Sequence, residues 1–200
     1  MGGRHRFTPD GLERIRSRYY EAWDAISSKY DTGVLMVLSV DPRDYGSLWE
    51  ASQGIYKAFH RFKSWLRKRL GFSPPHVSAL MFQDNGSPYI QVVFFGIDLK
   101  SVPADVYEEL RRAGFRGPNK MYEIVRVGEK WAWVGERPSD AKYLDPREYL
   151  ARYIARAINV IRSNVIRRYV RGSIDNMDVE DMKIAMYWAT GKRFFTRSKL

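Results

Sequence analysis

The feature that most constrains the fold is a pair of apolar segments joined by a strong turn signal. The first segment runs from His76 to Phe82 and the second from Tyr89 to Ile97, with Asp84-Asn85-Gly86 between them. Segments of strand length on either side of an Asn-Gly pair predict a β-hairpin. The apolar character of the second segment predicts a central strand of a sheet.

The length of the hairpin loop decides which side chains lie together. If residues 84–86 form the loop and Gly86 is left-handed, Met81 lies opposite Tyr89. Because side chains alternate along a strand, Met81, Tyr89 and Gln91 then share one face of the hairpin. A shorter loop would break this grouping.

The rest of the chain predicts helices and strands around this hairpin. Predicted helices run from about Pro9 to Lys29, Ser47 to Leu70, Pro103 to Gly114, Asp145 to Arg171 and Met177 to Thr190, and further strands span 34–40, 121–127 and 130–134. This order predicts an α+β fold in which long helices cover a mostly antiparallel central sheet. The expected organisation is an N-terminal helical extension (1–31), an α+β domain (32–175), and a C-terminal helix with a basic tail (176–200).

The composition points to a polyanionic partner. The formal net charge is +11, and a basic excess of this size favours nucleic acid over a membrane. The alternative is the generally basic surface of a heat-adapted protein. Cysteine is absent, which excludes disulfides and a thiol nucleophile. No secretory signal is recognisable and no apolar run approaches the roughly 20 residues of a membrane helix, so we expect a soluble, cytoplasmic protein.

A helical segment near residue 150 carries the side chains best suited to chemistry. Tyr149, Tyr153 and Arg156 lie on one side of the predicted helix, with Arg152 at the margin. A tyrosine there could attack a phosphodiester while an arginine stabilises the charge that develops on phosphorus. The alternative is a basic amphipathic helix whose tyrosine rings pack and whose hydroxyls face solvent.

Basic residues on two long helices and one loop are the candidate DNA contacts. The candidates on the Tyr149 helix are Arg152 and Arg156, and those on the Ser47–Leu70 helix are Lys63 and Arg67. Arg116 and Lys120 lie in a loop that the sequence predicts to be flexible. Such cations neutralise phosphates and release counterions. Solvated helix faces would have the same composition.

Three segments, taken in order, resemble the motifs of a known family. Leu38-Ser39-Val40-Asp41-Pro42 within Val34–Pro42, the Met81/Tyr89/Gln91 hairpin, and Tyr149-Leu150-Ala151-Arg152-Tyr153 are similar to the first, second and third motifs of HUH-superfamily rolling-circle replication initiators, especially those of archaeal plasmids and viruses. The resemblance implies an HUH-like sheet and a catalytic tyrosine at Tyr149 or Tyr153. It also implies a divalent metal held by the central strand and the strand before it.

The departures from this pattern fall on the implied metal site. The family has two histidines on the central strand, whereas this chain has Tyr89 and Gln91, with Met81 on the preceding strand. Tyrosine is a poor ligand unless it is deprotonated, and a thioether is too soft for Mg²⁺ or Mn²⁺. We therefore expect a degenerate metal site and no cofactor.

The sequence thus predicts a DNA-binding, replication-initiator-like protein of a mobile element, impaired in catalysis by the loss of the metal-binding histidines. Its expected partners are single-stranded or origin DNA and other replication proteins. One alternative is an active tyrosine-dependent DNA nicking and joining initiator, which would use Mg²⁺ or Mn²⁺. The other is a structural or interaction protein of a virus or plasmid.

Overall fold

The computed structural model describes residues 9–141, 144–152, 187 and 195–198. Its helices are α1 (Pro9–Ser27), α2 (Leu48–Leu70), α3 (Val106–Ala113) and α4, which begins at residue 146 and is described to residue 152. A short 3-10 helix spans Pro42–Asp44. The strands are β1 (Thr32–Ser39), β2 (His76–Phe82), β3 (Pro88–Phe95), β4 (Lys120–Val127), β5 (Lys130–Val134) and β6 (Phe195–Arg197).

The six strands form one antiparallel sheet in the order β5-β4-β1-β3-β2-β6. Strands β1 and β3 lie inside it and are almost entirely buried, which explains their nearly continuous hydrophobicity. Polar substitutions within them would remove apolar surface from the core. The predicted α+β class with an antiparallel central sheet is confirmed.

The hairpin of β2 and β3 has the register that the three-residue loop predicts. Met81 lies opposite Tyr89, and Ala79 lies opposite Gln91. Gly86 has a φ of 78°, the left-handed conformation that closes the loop without a steric penalty from a Cβ atom. Met81, Tyr89 and Gln91 therefore share one face of the sheet, as expected.

Helices cover both faces of this sheet. On one face, Phe59 and Phe62 of α2 pack against Phe94 of β3. On the other face, Trp23 of α1 packs edge-on against Phe95 and Trp131. The ring of Trp23 is fully buried, so α1 belongs to the same hydrophobic core as the sheet.

The C-terminal region contains a strand that the sequence does not predict. The sequence predicts a basic tail there, but residues 195–197 form β6 at the edge of the sheet beside β2. Ser78 and Thr196 join the two strands through their hydroxyls at 2.8 Å, and the Phe195 ring packs edge-on against Tyr19. The segment is too short to show a strand pattern, and only a neighbour with unpaired backbone groups gives it a reason to extend.

The predicted course of α4 to Arg171 and the predicted helix from Met177 lie outside the described residues, apart from Tyr187, which is helical. Among the helices of the described ranges, we find none with the length and apolarity needed to cross a bilayer.

Candidate functional site

A cavity of about 600 Å³ opens at the end of the sheet where β1 ends and β3 begins. The sheet forms its floor, because Val37 of β1 pairs with Gln91 of β3 on one side and with Lys120 of β4 on the other. The hairpin tip, the loop before α4 and the first turns of α4 form its walls. The cavity lining includes Ser39, Asp84, Tyr89, Gln91, Lys120, Asp140, Tyr149 and Arg152.

The first turns of α4 are held over the sheet by specific contacts. The Asp145 carboxylate accepts a hydrogen bond from the Glu148 amide at 2.9 Å, which caps the helix as its Asp-Pro start predicts. The Trp133 indole N–H donates to the Leu144 carbonyl at 2.9 Å. The same indole ring packs edge-on against the Tyr149 ring, with the centroids 5.6 Å apart. Strand β5 therefore determines where α4 presents Tyr149.

Four side chains form a closed hydrogen-bond network at the base of the cavity. Gln91 Nε2 donates to the Tyr149 hydroxyl at 3.0 Å, and that hydroxyl donates to Asp140 Oδ1 at 2.8 Å. The Arg152 guanidinium donates to Gln91 Oε1 at 2.8 Å, to Asp140 Oδ2 at 3.0 Å and to the Tyr149 carbonyl at 2.7 Å. Every buried polar group of the network has a partner.

The Arg152 guanidinium is buried, and Asp140 neutralises it. Only 7% of the Arg152 side chain is exposed, whereas 59% of the Asp140 side chain is. The guanidinium carbon also lies 3.7 Å from the centroid of the Tyr149 ring, a close cation–π contact. A buried charge of this kind is tolerated only when it is paired and fully hydrogen-bonded.

The Tyr149 phenol is kept protonated. Burial raises its pKa far above the usual value, and the hydrogen bond to the Asp140 carboxylate acts in the same direction. The Arg152 charge and the Gln91 hydrogen bond oppose this shift without overcoming it. The phenol therefore acts as a hydrogen-bond donor at neutral pH, and a phenolate would require the carboxylate to take its proton.

The other two positions of the implied metal site differ in exposure. Tyr89 is half-buried and lines the cavity. Met81 is fully buried in the hydrophobic core beside it. The structure thus brings Tyr89 and Gln91 to the cavity, while the Met81 thioether contributes to packing.

This set of residues does not fit a hard divalent cation. The Gln91 carbonyl oxygen already accepts from the Arg152 guanidinium, whose positive charge would repel a cation at that oxygen. Mg²⁺ and Mn²⁺ require several oxygen ligands, preferably carboxylates. Across the described residues there is no group of three or more histidine, cysteine or acidic side chains arranged to hold a metal.

The loop that carries Arg116 and leads into Lys120, the first residue of β4, is anchored to the end of β1. The Gly117 amide donates to the Ser39 carbonyl at 2.9 Å, and the Ser39 amide donates to Asn119 Oδ1 at 3.0 Å. The Phe115 side chain before it is fully buried. The loop, which the sequence predicts to be flexible, thus has one backbone hydrogen bond to β1, one through the Asn119 side chain, and one buried ring.

The basic candidates lie in different places. Lys120 is exposed at the cavity rim, and Arg116 is exposed 3.3 Å from the Asp44 carboxylate. Lys63 and Arg67 lie on α2, on the opposite face of the sheet. Lys63 is half-buried, with its Nζ 3.4 Å from His76 Nε2, and burial lowers its pKa.

Two of the predicted site residues, Tyr153 and Arg156, lie outside the described residues. One residue of the hydrogen-bond network was not predicted from the sequence. Asp140 was missed, although it bonds both Tyr149 and Arg152. It follows Pro138-Ser139 in a loop, and nothing in the local sequence sets it apart from other surface acids. Its position between a strand end and a tyrosine-bearing helix is the one signal that could have suggested it.

Comparison with known proteins gives distant matches. Residues 10–71 match a family model described as "Domain of unknown function (DUF8148) C-terminal domain". The chain is also similar to "Uncharacterized protein 1" of Halorubrum pleomorphic virus 1, with 26% identity over 202 residues, which cover 91% of this chain. The chain spans only 38% of that relative. No solved structure matches.

Proposed function

We propose that the chain is a DNA-binding, replication-initiator-like protein of a mobile element, and that it binds single-stranded or origin DNA in the cytoplasm. One observation carries this proposal. The three segments that resemble initiator motifs are far apart in sequence, yet Ser39, Gln91 and Tyr149, one from each, line a single cavity. Pairing of β1 with β3 brings the first two together, and the placement of Tyr149 against the same cavity supports the proposal.

The charge of the molecule supports a polyanionic partner. The chain carries a formal charge of +11, and the exposed Lys120 lies at the cavity rim, just after an anchored loop that carries the exposed Arg116. Cations held in place lose little entropy when they bind phosphate, and each neutralised phosphate releases counterions. The similarity to a viral protein is consistent with a mobile element as the source.

We further propose that metal-assisted nicking has been lost. A metal would polarise the scissile phosphate and contribute several kcal/mol to the transition state. In this chain the Gln91 amide instead ties the Tyr149 phenol to the Arg152 guanidinium. The network holds these groups in place without a cofactor, and burial keeps the phenol in its less nucleophilic, protonated form.

A second candidate function, tyrosine-dependent nicking and joining, is favoured by one contact. The Asp140 carboxylate lies 2.8 Å from the Tyr149 hydroxyl, so a proton acceptor stands beside a potential nucleophile. In such a reaction the Tyr149 oxygen would bond to phosphorus, its proton would pass to Asp140, and the departing strand oxygen would take a proton from water. The burial of Tyr149, of which 2% is exposed, opposes this candidate.

Fluorescence anisotropy with a single-stranded oligonucleotide at several salt concentrations tests DNA binding. We expect steep weakening as salt rises. Lys120→Ala should lower affinity and flatten the salt dependence by about 0.7 in log–log slope, the value for one phosphate contact. The matched control is Lys100→Ala, an exposed lysine beyond the opposite end of β3. Undetectable binding at low salt, or an affinity that does not change with salt concentration, would favour a structural or interaction role.

A covalent-adduct assay separates the two DNA-directed candidates. The protein is incubated with the oligonucleotide and Mg²⁺ or Mn²⁺ and then run on a denaturing gel. We expect no adduct. An adduct that disappears when Tyr149→Phe and Tyr153→Phe are combined would establish the nicking function instead.

A further inference from the structure

A second concave surface of about 420 Å³ lies at the C-terminal end of α3. Its described lining consists of three arginines, Arg111, Arg112 and Arg116, and one acid, Glu108. We call it the arginine concavity. Its lining carries a formal charge of +2, and two further acids, Glu109 and Asp44, lie within ion-pair distance of Arg112 and Arg116. Three guanidiniums on one concave surface offer hydrogen-bond donors to an anion.

The fold holds the backbone of these arginines in place. Helix α3 ends at Ala113, and the φ of 112° at the following Gly114 turns the chain so that Arg116 comes back toward the helix end. The Arg61 guanidinium of α2 donates to the Ala113 carbonyl at 3.1 and 2.6 Å, which fixes this end of α3. Beyond Arg116, the hydrogen bond between Gly117 and Ser39 anchors the chain to β1.

The arginine side chains of the arginine concavity are exposed, and two of them form ion pairs. Arg112 pairs with Glu108, with more than 60% of each side chain exposed, and lies 3.8 Å from Glu109, of which 20% is exposed. Arg116 pairs with Asp44 at 3.3 Å, and 62% of the Arg116 side chain is exposed. Arg111 forms no ion pair with any residue in the described ranges. Exposed ion pairs contribute little to stability, whereas an arginine can bind a phosphate through two parallel N–H bonds.

We propose that the arginine concavity binds phosphodiester groups of a single DNA strand that also contacts the main cavity. This proposal rests on the proposed function and adds the path that the DNA backbone takes over the protein surface. Arg116 and Lys120 are four residues apart, so they are separated by at most about 14 Å of extended chain. One strand can therefore place phosphates against Lys120 at the cavity rim and against Arg116 and its neighbours on α3.

The test measures single-stranded oligonucleotide binding by anisotropy in three variants of the full chain. Arg111→Ala and Arg116→Ala should each weaken binding several-fold at low salt and reduce the log–log salt slope by about 0.7. Glu108→Gln removes the acid of the arginine concavity, so it should tighten binding. Lys100→Ala is the charge-matched control and should change nothing beyond a small uniform effect. Thermal unfolding midpoints confirm that each variant is folded.

The outcomes separate this inference from the proposed function. If the oligonucleotide binds and Lys120→Ala weakens it while the arginine variants match Lys100→Ala, only the backbone path is overturned. If the wild-type protein does not bind at low salt, both proposals fail. Competition of inorganic phosphate with the oligonucleotide, compared with that of chloride at equal ionic strength, distinguishes a site for a free anion from a site for the DNA backbone. Strong competition by inorganic phosphate would overturn the backbone assignment, and weak competition would support it.

Discussion

Gln91 determines how the site holds its phenol and its guanidinium. An amide has a donor and an acceptor on one rigid group, so Gln91 can donate to Tyr149 and accept from Arg152 at once. A neutral imidazole could bind a metal at the same position, but the carbonyl oxygen of Gln91 is engaged by a cation. The single side chain therefore joins the phenol and the guanidinium in one hydrogen-bond network.

Removing the Tyr149 hydroxyl should destabilise the fold. Tyr149→Phe leaves Gln91 Nε2 without its acceptor in a position where Gln91 is 1% exposed. We expect the free energy of unfolding to fall by about 1–3 kcal/mol, the cost of an unsatisfied buried polar group. Urea denaturation measures it. Tyr107→Phe is the control, because that tyrosine is 53% exposed. Equal midpoints for the two variants would show that the network does not stabilise the protein.

The loop from Phe115 to Asn119 places the rim of the cavity because it is tied to the last residue of β1. Ser39 uses both its backbone amide and its carbonyl for this loop. The Ser39 amide and carbonyl thus continue the hydrogen bonding of β1 beyond its last pair with β4, which joins Val37 and Lys120. The loop therefore moves with the sheet rather than independently of it.

Gly117 permits this close approach, so a methyl group there should detach the loop. The Cβ atom of an alanine would lie 3.0 Å from the Ser39 carbonyl oxygen and 2.7 Å from the Ser39 Cβ. For Gly117→Ala we expect a loss of about 1–3 kcal/mol in the free energy of unfolding, as for other overpacked sites. Urea denaturation measures the loss, and faster hydrogen exchange at the Ser39 amide would locate it.

Gly46→Ala provides the control for that experiment. The nearest atom to its added Cβ is Glu50 Oε2, the far end of a flexible and exposed side chain. Its effect on the free energy of unfolding should stay within about 0.5 kcal/mol. If Gly117→Ala is equally mild, the loop accommodates the methyl group and the anchoring argument is wrong.

The elements differ in how far local sequence could predict them. The β2–β3 hairpin was predicted with its register, because the left-handed Gly86 fixes the loop and the loop fixes the pairing. Helix α2 was predicted at both ends, since Ser47 caps it and Gly71 ends it. Strand β6 was missed because its three residues are stabilised by β2, which lies far away in sequence.

The whole molecule consists of a sheet with two unlike faces. The face covered by α1 and α4 carries the cavity and its network. The face covered by α2 carries His76, which packs against Phe59 and Phe94. Global stability therefore depends on a buried histidine that is separated from the candidate site by the thickness of the sheet.

This histidine should make the protein less stable in mild acid. Burial, with a smaller effect from the Lys63 charge, lowers the pKa of His76 to about 4. Above pH 6.5 the ring is neutral in both the folded and the unfolded chain. Between pH 6.5 and about 4 only the unfolded chain binds the proton. The free energy of unfolding therefore decreases as the pH is lowered, by up to about 3 kcal/mol. Denaturation at several pH values measures this loss.

His76→Gln should flatten the pH dependence in that interval. His60→Gln is the matched control, because His60 is an exposed histidine on α2. It should leave most of the slope in place, which carboxylates also share below about pH 5. If the His76 variant keeps the full wild-type slope, the ring is not held neutral in the folded protein.

The local sequence specified the elements whose causes are local: hydrophobic period, helix caps, and the turn that sets the hairpin register. It also singled out Gln91, Tyr149 and Arg152 through their resemblance to known motifs. It did not join Gln91 to Tyr149 and Arg152, Asp140 to Tyr149, or Asn119 to Ser39, because those contacts cross 9 to 80 residues of chain. Hydrogen bonds of such separation exist only once the sheet has formed, since packing of β1, β3 and α4 supplies the distances that local propensity leaves open.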